Sequence, residues 1–318
     1  MSHVHEPIEL YHYTTFEGLK GILESKKLWL TDYQCTNDLS EFGYSKAIFL
    51  NRIKRGYEKW SKEKKISPLC IKKLDSIIQE ECTFLYETIK QQIDKIGGAY
   101  LFSACVHKSD FERSHGLLSM WRGYGREGGY ALEIDFEEFK NSYTRRCQIF
   151  DFVRYPALLQ ENIDCSIEHF LNEDCEIKKY LAQLDDFIEH SLIPAFIEGK
   201  PLDLPDKDIE AILALITLLK HPGFSEESEY RCVILRCSKE KMLQGQENDF
   251  LKTNLRKRKG HVLSYIEIPF DPKCIKRIII GPKSHQKSHK KHFQEYLKSL
   301  ELDCISVKSS EIPYIENR

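Results

Sequence analysis

Short strand-like stretches lie scattered along this chain, separated by two long helical blocks, and that spacing constrains the fold more than any other feature. Glu9 to Thr14, Leu28 to Thr31, Ala99 to Val106, Gly128 to Asp135 and Cys147 to Tyr155 carry the alternation or short apolar runs of strands. Glu229 to Cys237, Val262 to Ile268, Cys274 to Ile280 and Asp303 to Val307 do the same nearer the C-terminus. Residues 51–96 and 160–220 read instead as helices. In the first block Leu69, Leu74, Ile77, Ile78, Phe84, Leu85 and Ile89 recur at helical spacing until Gly97-Gly98; the second is broken by Pro194, Gly199, Pro201 and Pro205. A doubly wound parallel sheet needs a helix between successive strands, and this order lacks that rhythm. The pattern therefore predicts an α+β fold: a mixed, mainly antiparallel sheet with helical insertions near 61–96 and 160–220, in a single domain over 1–318.

Local signals fill in the rest. Thr15 is placed to cap a helix from Phe16 to Ser25, and a further helix is expected from Asn37-Asp38 to Phe49. His107 to His115 reads as a polar loop and Ser238 to Gly260 as a mobile one. A basic helix is expected from Ser284 to Leu300, after Gly281-Pro282 stops the preceding strand.

Composition narrows the function classes. The 318 residues suffice for a sizeable core, and the net charge of −2 gives the whole molecule no bias toward polyanions. The charge is unevenly spread, with fourteen acidic and four basic residues from Glu161 to Glu210, and eleven basic and two acidic from Arg256 to Lys291. The eleven cysteines are odd in number, form no Cys-x-x-Cys pair, and mostly stand singly in apolar runs (Cys105, Cys147, Cys232, Cys237, Cys304). They predict buried thiols in a reducing compartment, with no metal site. No apolar stretch is long enough to span a bilayer, so the cytoplasm is the expected location and no membrane partner is expected. Dinucleotide-fold glycine fingerprints, phosphate-binding Gly-Lys-Ser/Thr loops and Gly-x-Ser-x-Gly elbows are missing from the sequence.

Five constellations carry chemistry. His12, in Leu10-Tyr11-His12-Tyr13-Thr14, offers one donor and one acceptor when neutral, which suits a ribose hydroxyl, and Thr14 adds a second hydroxyl; the alternative is a hydrogen-bonded core histidine at a strand end. Ala99 to Cys105 presents Tyr100 and Ser103, each otherwise an ordinary strand residue. In Ser119-Met120-Trp121-Arg122-Gly123-Tyr124-Gly125, Arg122 has the fork for a diphosphate or carboxylate, and Trp121 or Tyr124 could flank a flat ring. Gly123, Gly125 and Gly128-Gly129 would let backbone approach a ligand; the alternative is a tight turn held by an Arg–carboxylate pair. Glu227-x-Glu229-Tyr230-Arg231 opens a strand with two carboxylates, and the alternative is a structural pair of Glu229 with Arg231 or Arg122. Glu267 is a rival carboxylate one strand later. Finally, the basic residues of 256–291 could meet phosphate as one face, although such runs are usually solvated.

These motifs carry two resemblances. The Leu10-Tyr11-His12-Tyr13-Thr14 opening, followed by Gly18-Leu19-Lys20-Gly21-Ile22-Leu23 and Leu28-Trp29-Leu30, is similar to the opening of the H-Y-E branch of ADP-ribosyltransferases, including thymidine-modifying DNA ADP-ribosyltransferases and RNA 2′-phosphotransferases. Over most of its length the chain also resembles a bacterial family of unknown function marked by Tyr-His-Tyr-Thr, Met-Trp-Arg-x-Tyr-Gly, Glu-x-Glu-Tyr/Trp-Arg and Ile-Ile-Ile-Gly-Pro segments. The transferase resemblance implies a split sheet with NAD, a co-substrate, in its cleft. It implies that His12, with Tyr13 and Thr14, binds the nicotinamide-side ribose or amide, that Tyr100 stacks on nicotinamide, and that Ser103 supports the catalytic carboxylate. Trp121, Arg122 and Tyr124 would complete the pocket. Glu229 would hydrogen-bond the ribose 2′-hydroxyl and Glu227 polarise the acceptor, a nucleic acid or protein reached through the 256–291 face. It further implies a toxin or phage-defence effector. Two other functions fit the same residues: a nucleotide sensor without turnover, and a nucleic-acid-binding accessory protein.

Overall fold

The computed structural model describes residues 9–35, 41–64, 83–84, 86–91, 93–95, 98–125, 128–143, 149–155, 176–198, 202, 205–235, 252–258, 260–283 and 286–313. The order of elements is β1 (Glu9–Thr14), α1 (Phe16–Ser25), β2 (Lys27–Asp32), α2 (Glu41–Glu63), β3 (Ala99–Val106), α3 (Asp110–His115), α4 (Leu118–Tyr124), β4 (Tyr130–Asp135) and α5 (Phe136–Tyr143). Then come β5 (Ile149–Phe152), α6 (Glu176–Phe187), α7 (Ile193–Glu198), α8 (Asp206–Leu218), β6 (Glu229–Leu235), β7 (Asn254–Arg258), β8 (His261–Pro269), β9 (Ile275–Ile280), α9 (Gln286–Ser299) and β10 (Ser306–Ser309). The fold is α+β, with a mixed and mostly antiparallel open sheet ordered β10-β9-β4-β1-β3-β2-β8-β7, while β6 pairs with β3 and β5 off this path. Only β10–β9 is parallel among the named strand pairs.

The sheet forks at β3. One edge of β3 pairs with β6 along its length, Ala99↔Leu235 to Cys105↔Glu229. On the other edge β1 meets only Cys105 and Val106, and β2 meets only Tyr100 and Leu101. Beside Phe102, Ser103 and Ala104 the two strands part. Beyond Tyr11, β1 is held by β4, and ahead of Thr31, β2 is held by β8. Helix α1 joins them across the gap; Thr15 caps it by accepting from Gly18 N–H at 3.2 Å, and Leu19, Ile22 and Leu23 face inward.

Alternation along β3 serves two cores. Tyr100, Phe102 and Ala104 pack with Leu19 and Leu23 of α1, Phe139 of α5 and Phe293 and Leu297 of α9. Ala99 and Leu101 pack on the opposite face with Ile48, Phe49 and Ile53 of α2, with Tyr86, Ile89 and Ile93, and with α6 to α8. The described parts of both helical blocks thus form one layer over β3, β6 and β5. Helix α8 is buried from Ala211 to Leu218, which explains its almost unbroken apolar sequence.

Several local expectations need correcting. Pro194 does not break its helix: a five-residue π-type stretch, Ile188–Leu192, precedes it and absorbs the missing N–H and the ring's bulk, so α6 runs on into α7. The polar stretch after β3 contains α3, started by a Ser109–Glu112 capping box. Part of the expected loop 238–260 is an edge strand, β7, paired with β8 as a hairpin and turned by Gly260 at φ +83°. Asn254-Leu255-Arg256-Lys257-Arg258 has one apolar residue, so an edge strand left no burial signal there. Cys105, Cys232 and Cys274 are buried and outside any disulfide, but Cys304 is exposed; Cys147 and Cys237 lie outside the described residues. Among the described residues no helix is long and apolar enough to cross a membrane.

Candidate functional site

A cavity of about 590 Å³ occupies the fork. It is lined by β1 past Tyr11, by the start of α1, by β2, by Leu101 to Cys105 of β3, by Met120 and Tyr124 of α4, and by Glu229 and Arg231 of β6. Lys220, Glu227 and the β7 residues Arg256 and Lys257 complete it. Its volume is that of an ordinary small-molecule site. Alternation places Ser103, Glu229 and Arg231 on one face of the sheet and His12 on the other; they share a cavity because the fork opens between them.

His12 sits in that opening. Its Nδ1–H donates to the Ser103 carbonyl at 2.9 Å, and its ring lies 4.6 Å from that of Phe102. A carbonyl only accepts, so this bond places the lone pair of the neutral ring on Nε2. Tyr13, on the Glu229 face, shares a hydrogen bond of 2.9 Å with His107 Nε2 and accepts from Leu117 N–H at 2.8 Å. Burial, then the Cys105 thiol, raises the Tyr13 hydroxyl well above its ordinary range.

At the β6 side of the cavity stands a four-membered ion cluster. Arg231 donates from Nε to Glu229 Oε1 at 2.8 Å, from Nη2 to Oε2 at 3.1 Å, and from Nη1 to the Thr217 carbonyl at 2.6 Å. That last bond meets the C-terminal turn of α8, where the helix dipole favours a cation. Lys220, the second residue beyond α8, donates to Glu229 Oε2 at 3.2 Å and to Glu227 Oε2 at 2.8 Å. The Ser103 side chain also hydrogen-bonds Glu229, and Glu229 N–H donates to Tyr155 Oη at 3.0 Å. Tyr124 Oη donates to Glu227 Oε1 at 3.4 Å.

Burial alone would raise the Glu229 carboxyl, but the charges of Arg231 and Lys220 and the bonds from Arg231 and Ser103 prevail, holding it down at about 2. Glu227 moves the other way: burial raises it, and Lys220 only partly offsets that. Burial would lower the Lys220 ammonium, yet Glu229 and Glu227 keep it above its usual value. The cluster therefore holds one fixed carboxylate and one more easily protonated. Glu227 is also the more open of the two, with 16% of its side chain exposed against 7% for Glu229.

Of the residues singled out in the sequence, His12, Tyr13, Thr14, Ser103, Tyr124, Glu227 and Glu229 line this cavity and Tyr100, Trp121 and Arg122 do not. Tyr100 points to the opposite core, its hydroxyl 3.4 Å from Thr253 and Ser264. Trp121 is 2% exposed, packs against Tyr13, and donates from Nε1 to the His115 carbonyl at 3.0 Å. The neighbouring glycines serve that ring instead of a ligand: a Cβ on Gly116, Gly125 or Gly281 would lie 2.6–2.9 Å from Trp121 side-chain atoms. Arg122 is exposed on α4. The structural pairing of Glu229 with Arg231 is present. The rival Glu267 lies outside the cavity and pairs with Lys27 at 2.8 Å.

Nor do residues 256–291 make one basic face. Strand β7 lies on the β2 branch of the fork and β9 on the β1 branch. Lys276 and Arg277 on β9 are paired with Asp135 and Glu133. Sequence reasoning assigned no role to Lys220, Arg231 or the β7 pair as cavity residues, since only the fold brings them to the fork. The one available signal was the Glu-x-Glu-x-Arg alternation.

A family model described as Protein of unknown function (DUF2971) matches residues 120–232. The match runs from α4 to β6 and so contains Tyr124, Lys220, Glu227, Glu229 and Arg231, while His12 and Ser103 precede it. Comparison with curated proteins and with solved structures gives no match. A DUF2971 domain, of unknown function, is thus found at residues 120–232.

Proposed function

We propose that the cavity at the fork binds NAD and that the chain is an ADP-ribosyltransferase-like enzyme transferring ADP-ribose to a nucleic acid or protein. The observation that carries this reading is the convergence of His12, Ser103, Glu227 and Glu229 on one cavity where the sheet splits. His12, its tautomer set by the Ser103 carbonyl, would meet a ribose hydroxyl or the carboxamide with Nε2. In the transfer the nicotinamide–ribose bond breaks with its electron pair leaving on nicotinamide, and positive charge develops at the ribose carbon. Glu229, ionised and immobilised by Arg231 and Ser103, is suited to stabilise that charge without reorganising. Glu227, raised and more open, is suited to take the proton the attacking nucleophile releases. An effector role, as a toxin or in phage defence, rests on resemblance alone.

One observation favours a second reading, a nucleotide sensor without turnover: both oxygens of Glu229 are engaged by Arg231, and Lys220 shares one, so its charge is largely compensated. Labelled NAD incubated with total cellular DNA, RNA and protein separates the two. Transfer of label by the wild type, lost in E229Q and H12A, supports the transferase; binding without transfer or nicotinamide release supports the sensor. Absence of NAD binding together with salt-dependent nucleic-acid binding would sink both.

A further inference from the structure

The cavity is polarised. One end holds the Glu227–Glu229–Lys220–Arg231 cluster, whose formal charges cancel; the other end holds Arg256 and Lys257. Arg256 reaches back from β7 over β8 to β2, donating from Nη2 to Thr31 Oγ1 at 2.7 Å. Its guanidinium lies 5.4 Å from the ring of Trp29 and 5.5 Å from that of Tyr265. Two aromatic neighbours and one hydroxyl fix the plane and direction of a fork that forms part of the cavity wall. Lys257 follows it, exposed and also against the cavity, on the other face of the hairpin by alternation. The nearby carboxylate, Glu267 opposite Trp29, is taken by Lys27. Thr31 and Glu229 are separated by two strand steps across and four residues along, roughly 16 Å from backbone to backbone. A single phosphate does not bridge such ends, so one ligand that meets both must be extended.

We infer that Arg256 and Lys257 of the β7–β8 hairpin form a diphosphate subsite, so that the cavity selects dinucleotide-type diphosphate esters over nucleosides. This deepens the NAD reading and rests on it for the ribose end only. Arg256 would grip two phosphate oxygens with its fork, and Lys257 would add a point charge from the open side. Basic residues conspicuous in the sequence would then act inside the small-molecule site.

The test is calorimetric titration of ADP-ribose, inorganic pyrophosphate and nicotinamide riboside into the full-length wild type, R256Q, R256K and K257Q. Both diphosphates should bind the wild type, about tenfold or more weakly to R256Q and about threefold or more weakly to K257Q, with R256K recovering only part of the loss. Nicotinamide riboside, which has no diphosphate, should bind wild type and variants alike. Should R256Q fail to fold, exposed Lys257 carries the test. Equal ADP-ribose affinity in wild type and K257Q together with R256K, or no diphosphate binding by the wild type, overturns the subsite. A wild type that binds ADP-ribose through Arg256 yet never cleaves NAD keeps the subsite and removes the transferase; NAD turnover with KM unchanged in K257Q and R256K does the reverse.

Discussion

Arg231 is 2% exposed and spends its donors on Glu229 and the end of α8. Removing it would leave Glu229, itself 6% exposed, as a buried carboxylate held by Lys220 and the Ser103 side chain without its guanidinium partner. Breaking a buried pair from one side costs far more than the pair contributes net, because the abandoned charge stays desolvated. R231M is therefore expected to lose about 3–5 kcal/mol in urea unfolding. The double change R231M/E229Q should recover part of that loss, and an unchanged midpoint in R231M would refute the pairing's structural weight. Position Glu229 was legible in the sequence because Glu229 and Arg231, two apart on one strand, put both charges on one face, whereas Glu227 precedes the strand at the end of a 3-10 turn. Lys220 was not, since its place depends on where α8 ends, about ten residues earlier than Glu229 in a segment without period-two patterning.

Among elements, α4 and the strand after it owe their glycine spacing to close packing on Trp121 and on neighbouring backbone. Gly129 passes so close to β1 that a Cβ there would lie 2.4 Å from Gly125 Cα and 2.7 Å from the Thr14 carbonyl, both backbone atoms that cannot yield locally. On α4 itself, Gly123 has nothing within 4 Å of such a Cβ. G129A should thus lower the melting temperature sharply and disturb the Thr14 end of the cavity, whereas G123A should be neutral or stabilise by up to about 1 kcal/mol. Similar melting temperatures for the two variants would contradict this packing. The elements with strong local signals, β1, α1 and β3, were readable almost to the residue. Strand β7 was hidden because an edge strand needs no alternation of burial, and α3 because six residues started by a capping box look like a polar loop.

For the whole molecule, stability should fall with acid in two stages. His107 is 2% exposed, stacked 3.6 Å from Tyr11, and its Nδ1 has no hydrogen-bond partner among the described residues. Burial, then Arg113 and Arg277, lowers it from 6.5 to about 3. The unfolded chain therefore takes up this proton below about 6.5 while the fold refuses it, so stability is lost as pH falls from there toward 3. Glu229 is depressed from 4.5 to about 2, so its contribution is complete above 4.5 and drains away between those values. Glu227, raised, acts with the opposite sign and blunts the second stage. Thermal melts from pH 8 to 3 should show the upper stage missing in H107Q and the lower one missing in E229Q. Superimposable curves would remove both assignments.

The gap beside Phe102, Ser103 and Ala104 gives the sheet two seams that face inward and are roofed by α1. An outward seam of this kind recruits another chain; an inward one can be closed only by something small enough to enter. Whatever occupies the fork stands where a strand is missing, and its binding is at once recognition and completion of the architecture.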